Sequence, residues 1–328
     1  MKTIECFESP QNLINEITKH GYIANINLVL AIYLAYHLQK PLLLEGQAGT
    51  GKTEIANIVS KILNDSEPIR LQCYEGLDDS KAIYEWDYKK QLLFIEANKN
   101  DNDWDNMHNN IYSEKFLSPR PILKSIISEK KEVLLIDEVD KSDEEFEPLL
   151  LEILSAFQVS IPEIGTIKSK NKPLVILTSN NIRELSDALK RRCLYFYIDY
   201  PTLEQEIEIV QSRVSGIDNL IVTQIVSFVQ MLREENLKKA PSISETIDWA
   251  ITLIKLNANA KSLNLNFIQN TLNVLLKTKQ DIEFIDDNIN KFIGKLPKKA
   301  VKIDNDKTHH YKIEELENLL SNENSWDF

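Results

Sequence analysis

The first chemical signal in the chain lies in LLLEGQAGTGKT, Leu42 to Thr53, where Gly46, Gly51, Lys52 and Thr53 fit G-x-x-x-x-G-K-[ST] without mismatch. Glycines let a loop turn its backbone N–H groups inward around phosphate oxygens, and the positive end of a following helix adds to the attraction. At this spacing Lys52 reaches β- and γ-phosphates and the Thr53 hydroxyl holds Mg²⁺. The motif does chemistry only between a strand and a helix. Leu42 to Leu44 is an apolar run of the buried-strand type and Glu54 to Leu63 has a helical pattern, a setting that an accidental Gly-rich turn would lack.

A second signal is EVLLIDEVDK, Glu132 to Lys141. The run Val133 to Ile136 reads as a parallel strand buried on both faces, ended by Asp137 and Glu138. Ligands in open α/β sheets sit at that carboxyl end. There Asp137 can bind Mg²⁺ through water and Glu138 can orient and polarise an attacking water. An acidic pair after a strand also serves as a helix cap, so its meaning depends on the phosphate loop. Leu174 to Ser179 is another buried strand, ending in Asn180, whose amide suits a lytic water or a γ-phosphate and equally suits a turn. Arg191 and Arg192 close a segment read as helical, Ile182 to Lys190, before a fifth strand, Leu194 to Ile198. They either complement a helix dipole or offer a finger in trans to a neighbour's γ-phosphate, an arrangement worth roughly 10³ to 10⁵ in rate that requires a ring.

These residues need a framework. Ahead of the loop, Met1 to Gly21 reads as a mixed lead-in and Ile26 to Leu38 as a largely buried helix; after it, Ile69 to Cys73 is a second strand. Tyr84, Trp86 and Tyr88 alternate on one side if their segment is extended, either as a contact surface or as one buried face of a packed strand. Lys99 to Asn110 is Asn- and Asp-rich and reads as a loop, Pro121 to Lys130 as a helix. Apolar residues at Phe146, Leu149, Leu150, Ile153, Leu154 and Phe157 make a helix stripe, and Gln158 to Ile167 a hairpin. From Pro201 the periodicity is helical only: Leu203 to Val214, Leu220 to Glu235, Ser242 to Asn257 and Asn266 to Thr278. After Pro297 the chain is polar, with a short stripe of Ile313, Leu316, Leu319 and Leu320 and with Trp326 and Phe328 at its end.

At 328 residues the length suits about two domains, and 43% hydrophobic with 27% charged residues is an ordinary globular balance. The net charge of −12 and the lack of a long basic run argue for protein partners and against nucleic acid. No apolar run approaches the roughly 20 residues of a membrane span, and MKTIECFESP has no signal-peptide pattern. Cys6, Cys73 and Cys193 are odd in number and far apart, which suggests a reducing cytoplasm and neither a disulfide framework nor a zinc site. His309 and His310 lack metal-ligand company.

The pieces GQAGTGKT, LLIDEVDK, LTSNN and LKRRC, in that order and followed by a helical lid, resemble the AAA+ ATPases. FQVSIPEIGTI before LVILTSN, after a long segment behind the second strand, resembles the MoxR branch. LQCYEGLDDSKAIYEWDY and PSISETIDWA are similar to the ATPases associated with maturation of carbon-monoxide-dehydrogenase-type molybdenum enzymes. The resemblance spans about Tyr22 to Lys277. It implies an α/β AAA+ P-loop core with a five-stranded parallel sheet over residues 1–200 and an all-α lid over 201–295; it does not cover the polar tail, 296–328. Gly46, Gln47, Ala48, Gly49, Thr50, Gly51, Lys52 and Thr53 would be Walker A, with Glu54 beside the nucleotide; Asp137 and Glu138 would be Walker B and Asn180 sensor 1. Arg192 would be the arginine finger, with Arg191 in reserve, and Lys52, Glu138, Asn180 and Arg192 the catalytic set. ATP and Mg²⁺, the ion on Thr53 and Asp137, are the implied ligands. Also implied are a homo-oligomer, typically a hexameric ring, a von Willebrand factor A domain partner and a protein client that the ring remodels or matures as a chaperone.

One departure from the pattern stands out. Where many AAA+ proteins carry a sensor 2 arginine, Pro241 to Trp249 has Glu245, and Ser242-x-x-Glu245 fits a capping box; Lys238 and Lys239 are the nearby cations. Two other readings stay open: a nucleotide-gated assembly scaffold with slow hydrolysis, and a P-loop phosphotransferase, which would not use Arg192 in trans.

Overall fold

In the computed structural model, residues 5–98, 110–256 and 262–301 are described. Helices α1 (Pro10–Lys19) and α2 (Ile26–Leu38) lead into β1 (Leu42–Gly46) and α3 (Lys52–Asn64). Then come β2 (Ile69–Gln72), an insertion of α4 (Asp79–Ala82), β3 (Tyr84–Trp86) and α5 (Tyr88–Ala97), and next β4 (Leu117–Pro119), α6 (Pro121–Ile127) and β5 (Val133–Asp137). The chain continues through α7 (Phe146–Ala156), the hairpin β6 (Gln158–Ile161) and β7 (Gly165–Lys168), β8 (Leu174–Ser179), α8 (Asp187–Lys190) and β9 (Leu194–Ile198). Helices α9 (Leu203–Arg213), α10 (Asn219–Arg233), α11 (Ile243–Leu256), α12 (Leu265–Leu275) and α13 (Lys279–Ile293) follow.

The main sheet is five-stranded and parallel, in the order β2-β5-β8-β1-β9. Every residue of β1, β5 and β8 is buried. Their continuous apolar runs are what strands with both faces covered require. The register carries the functional consequence: Glu45 lies beside Ser179, Gly46 beside Ile198, and Asp137 beside Gln72. The residues that leave the carboxyl ends of these strands therefore emerge along one edge of the sheet.

The chain divides into two compact units, one holding Asn27–Gly46 and Gly51–Ile198, the other Thr18–Ile26, Gln47–Thr50 and the chain from Asp199 on. In the helical unit Trp249 is wholly buried, 5.3 Å from the Phe228 ring, and its Nε1 donates to Thr271 Oγ1 at 2.8 Å. Its helices begin at side-chain caps: Thr202 with Gln205 forms a capping box, and Asp218, Asn264 and Thr278 cap α10, α12 and α13.

Several expectations need correction. The lead-in contains a true helix, α1, started by Ser9, whose hydroxyl accepts from Asn12 N–H at 3.1 Å, with Pro10 in its first turn. In α2 only one face is buried, and Leu34 and Leu38 are exposed. Tyr84, Trp86 and Tyr88 do not share one strand face: Trp86 is core, while Asp87 caps α5 and puts Tyr88 on an exposed helix start. The helix expected over Ile182 to Lys190 is only α8, and α13 has no counterpart among the helices expected from periodicity. The loop expected at Lys99 to Asn110 falls outside the described residues except for Asn110, as do the whole stripe from Ile313 to Leu320, His309, His310, Trp326 and Phe328.

Candidate nucleotide-binding and hydrolytic site

The loop between β1 and α3 turns into its helix at Gly51, which sits at the α3 N-cap with φ 92°, a left-handed conformation that side chains resist. Gly49, at φ 73°, is required for a second reason: a Cβ there would lie 2.4 Å from Ser242 Cβ and Oγ. Thr50 Oγ1 closes the loop on Gln47 O at 2.9 Å, while Gln47 and Ala48 are exposed. Lys52 folds back into the turn and donates to Gly46 O at 2.8 Å. Burial lowers its pKa, against the raising charges of Asp140, Asp137, Glu138 and Glu45. Glu54 stands half-buried in the first turn of α3.

Asp137, at the end of β5, is 2% exposed and saturated with donors. Its Oδ1 accepts from Thr53 Oγ1 at 3.0 Å and Thr178 Oγ1 at 2.6 Å, and its Oδ2 pairs with Arg70 Nη2. Glu138 follows in the left-handed region, φ 56°, with its N–H on Thr178 Oγ1 at 2.8 Å. That turn swings the Glu138 side chain toward the strand ends on either side. Its Oε2 accepts from Gln72 Nε2 at 2.7 Å and Lys141 Nζ at 2.8 Å, and its Oε1 from Asn180 Nδ2 at 3.2 Å. The Glu138 hydrogen bond raises the pKa of Lys141. Asn180 is held in turn, since its N–H and that of Ile182 both donate to Asp140 Oδ2, at 3.0 and 2.9 Å. The other oxygen of Asp140 is buried without a hydrogen-bond partner.

The structure thus links Thr53, Asp137, Glu138 and Asn180 in one hydrogen-bonded network through Thr178, Arg70 and Gln72, with Lys52 within reach of its charges. Arg192 lies outside that network. It is exposed after α8, with Nε on Ser155 Oγ at 2.6 Å and Nη1 on Ala188 O at 3.1 Å; Arg191 is exposed as well. Sequence reasoning missed Gln72, Arg70, Thr178, Asp140 and Lys141. Their one legible trait is polarity at or beside the carboxyl ends of otherwise apolar strands. Burial first, then the charges of Asp137, Asp140 and Glu138, push the thiol of Cys73, next in line, up to about 12.

The donor set fits Mg²⁺ and phosphate. Thr53 Oγ1 and Asp137 Oδ1 converge as hard oxygen donors, and Lys52 supplies a cation at a helix start. Among the described residues no group of three or more His, Cys, Asp or Glu forms a metal cage.

Residues 41–193 match the family described as AAA domain (dynein-related subfamily). An uncharacterized protein of Staphylococcus saprophyticus is 23% identical over 227 residues, covering 67% of this chain and 78% of that protein. A solved structure of a Thermotoga maritima RuvB mutant aligns with 16% identity and a TM-score of 0.45, over 84% of this chain and 73% of that one. The parallel sheet and its phosphate loop form an AAA+ P-loop fold, and an all-helical region follows Ile198. Among the described residues no helix is long and apolar enough to cross a membrane.

Proposed function

We propose that this chain is a Mg²⁺-dependent ATPase of the MoxR type that works as a cytoplasmic ring, a hexamer, and remodels or matures a protein client beside a von Willebrand factor A domain partner. The observation that carries the ATPase reading is the position of Glu138 and Asn180 against the Thr53–Asp137 pair, on adjacent strand ends. A pure nucleotide-binding module has no use for that carboxylate. The MoxR type, ring, client and partner rest on the sequence resemblance; the division into a nucleotide-binding domain, 1–200, a lid, 201–295, and a tail, 296–328, rests on the change to helical periodicity after Pro201 and the polar composition after Pro297.

In this reading the loop N–H groups and Lys52 bind the β- and γ-phosphates, and Thr53 and Asp137 hold the ion. Magnesium, when bound, supplies positive charge that neutralises the phosphate oxygens. Glu138 orients the attacking water and draws its proton, Asn180 fixes that water's position, and Arg192 reaches a neighbouring subunit's γ-phosphate. Both oxygens of Glu138 are engaged by Gln72, Lys141 and Asn180. Oε2 takes two of these donors and Oε1 only Asn180, so Oε1 keeps a lone pair for the attacking water. That engagement also favours a second reading, in which ATP binding assembles a scaffold and hydrolysis only resets it slowly. A phosphotransferase would need neither Arg192 nor assembly.

Glu138→Gln is the test. Turnover should fall by roughly 10² to 10⁴ while binding of a fluorescent ATP analogue is kept. Turnover within a few fold of wild type would remove Glu138 as the base. Partner release that continued unchanged in the variant would favour the scaffold.

A further inference from the structure

A groove of about 450 Å³, within the usual range for a binding site, opens where α4 and β3 meet α7 and β6, and shares no lining residue with the site above. Its aromatic wall is Tyr84, Trp86 and Tyr88, with the first two rings edge to face at 6.0 Å. Asp79, Glu85 and Glu152 also line it, and among the lining residues described there is no Lys or Arg. Glu85 is already paired with Arg120. Asp79 and Glu152 have no ion-pair partner among the described residues, and Glu152 accepts only a long hydrogen bond from Ser160 Oγ, 3.4 Å. The field inside is negative: after burial, the charges of Glu163 and Asp79 push the Tyr84 hydroxyl up. Tyr88, 64% exposed, continues one turn on to Leu92, 63% exposed, as an apolar shelf.

We propose that this groove captures Lys or Arg side chains from an extended segment of a protein partner. The charge complementarity selects the occupant: cationic heads meet Asp79 and Glu152, and their aliphatic stems lie on the rings of Tyr84, Trp86 and Tyr88. An anionic segment would meet unpaired carboxylates at close range and be rejected. The groove thereby gives a chemistry to the client contact of the remodelling ATPase, and rests on that reading.

The test is fluorescence anisotropy of two fluorescein-labelled peptides, Gly-Lys-Leu-Arg-Leu-Lys-Gly and Gly-Glu-Leu-Asp-Leu-Glu-Gly, with the full chain at low ionic strength and no nucleotide. ATP turnover is measured on the same samples. The basic peptide should bind at least roughly tenfold tighter than the acidic one, and the neutral pair Asp79→Asn with Glu152→Gln should lose roughly tenfold with turnover unchanged. The reversed pair Asp79→Lys with Glu152→Lys should prefer the acidic peptide. Should a double variant not fold, the exposed Tyr88→Ala carries the test with a several-fold loss. Basic-peptide binding as tight in the neutral pair or in Tyr88→Ala as in wild type overturns the proposal. Groove-dependent binding without turnover would leave the groove standing and remove the ATPase reading; turnover with groove-independent binding would do the reverse.

Discussion

Asp137 gives one oxygen to Thr53 and Thr178 and the other to Arg70, so its charge is spread over three donors while it stays nearly wholly buried. An unpaired carboxylate at that depth would be costly. The same donors keep its Oδ1 aimed at Thr53, the arrangement a divalent ion needs. Thr53→Ala removes one ion ligand and leaves Asp137 two donors; we expect ATP turnover to fall at least roughly tenfold with the thermal midpoint nearly unchanged. Excess EDTA should abolish wild-type turnover, and turnover that persists in EDTA would contradict a metal-assisted reaction. At this scale the sequence was partly legible. Lys52, Thr53, Asp137 and Glu138 announce themselves by spacing. Gln72 and Asp140 do not, because their roles come from strand register and from a turn that no local pattern encodes.

At the level of elements, the strands were legible wherever both faces are covered, since burial on two sides forces an apolar run. The segment after Asn180 was not. Its apolar spacing suggests a helix from Ile182, yet Ile182 is 67% exposed and its N–H goes to Asp140, while Ser186 N–H goes to Glu147 Oε2 at 3.0 Å. Long-range carboxylates satisfy the backbone there, which removes the need for helical bonds. Of the expected capping box the structure shows the Glu245 half: Glu245 Oε2 accepts from Ser242 N–H at 3.0 Å, while the Ser242 hydroxyl donates to that same oxygen; burial works to raise the Glu245 carboxyl and these hydrogen bonds hold it low. In the helical unit Glu206, fully buried, meets Arg233 at 2.7 Å and also accepts from Thr246 Oγ1 at 2.9 Å. Glu206→Leu alone strands the Arg233 cation and should cost about 3–5 kcal/mol of stability by chemical denaturation. A loss below about 1 kcal/mol would show that the pair is well solvated.

For the whole molecule, the open question is whether a single chain holds a complete catalytic site. Lys52, Glu138 and Asn180 meet within one chain, whereas Arg192 is spent on Ser155 and Ala188 at the exposed end of α8. We expect Arg192 to contribute to hydrolysis by reaching another copy. The measurement that bears most directly on a shared active site is ATP turnover per chain against protein concentration, for wild type and Arg192→Ala, with light scattering on the same samples. The predicted result is a rate that rises as a ring assembles and falls roughly 10³-fold or more in the variant although the ring persists. A flat rate from a monomer, indifferent to Arg192, would contradict it and reopen the phosphotransferase reading.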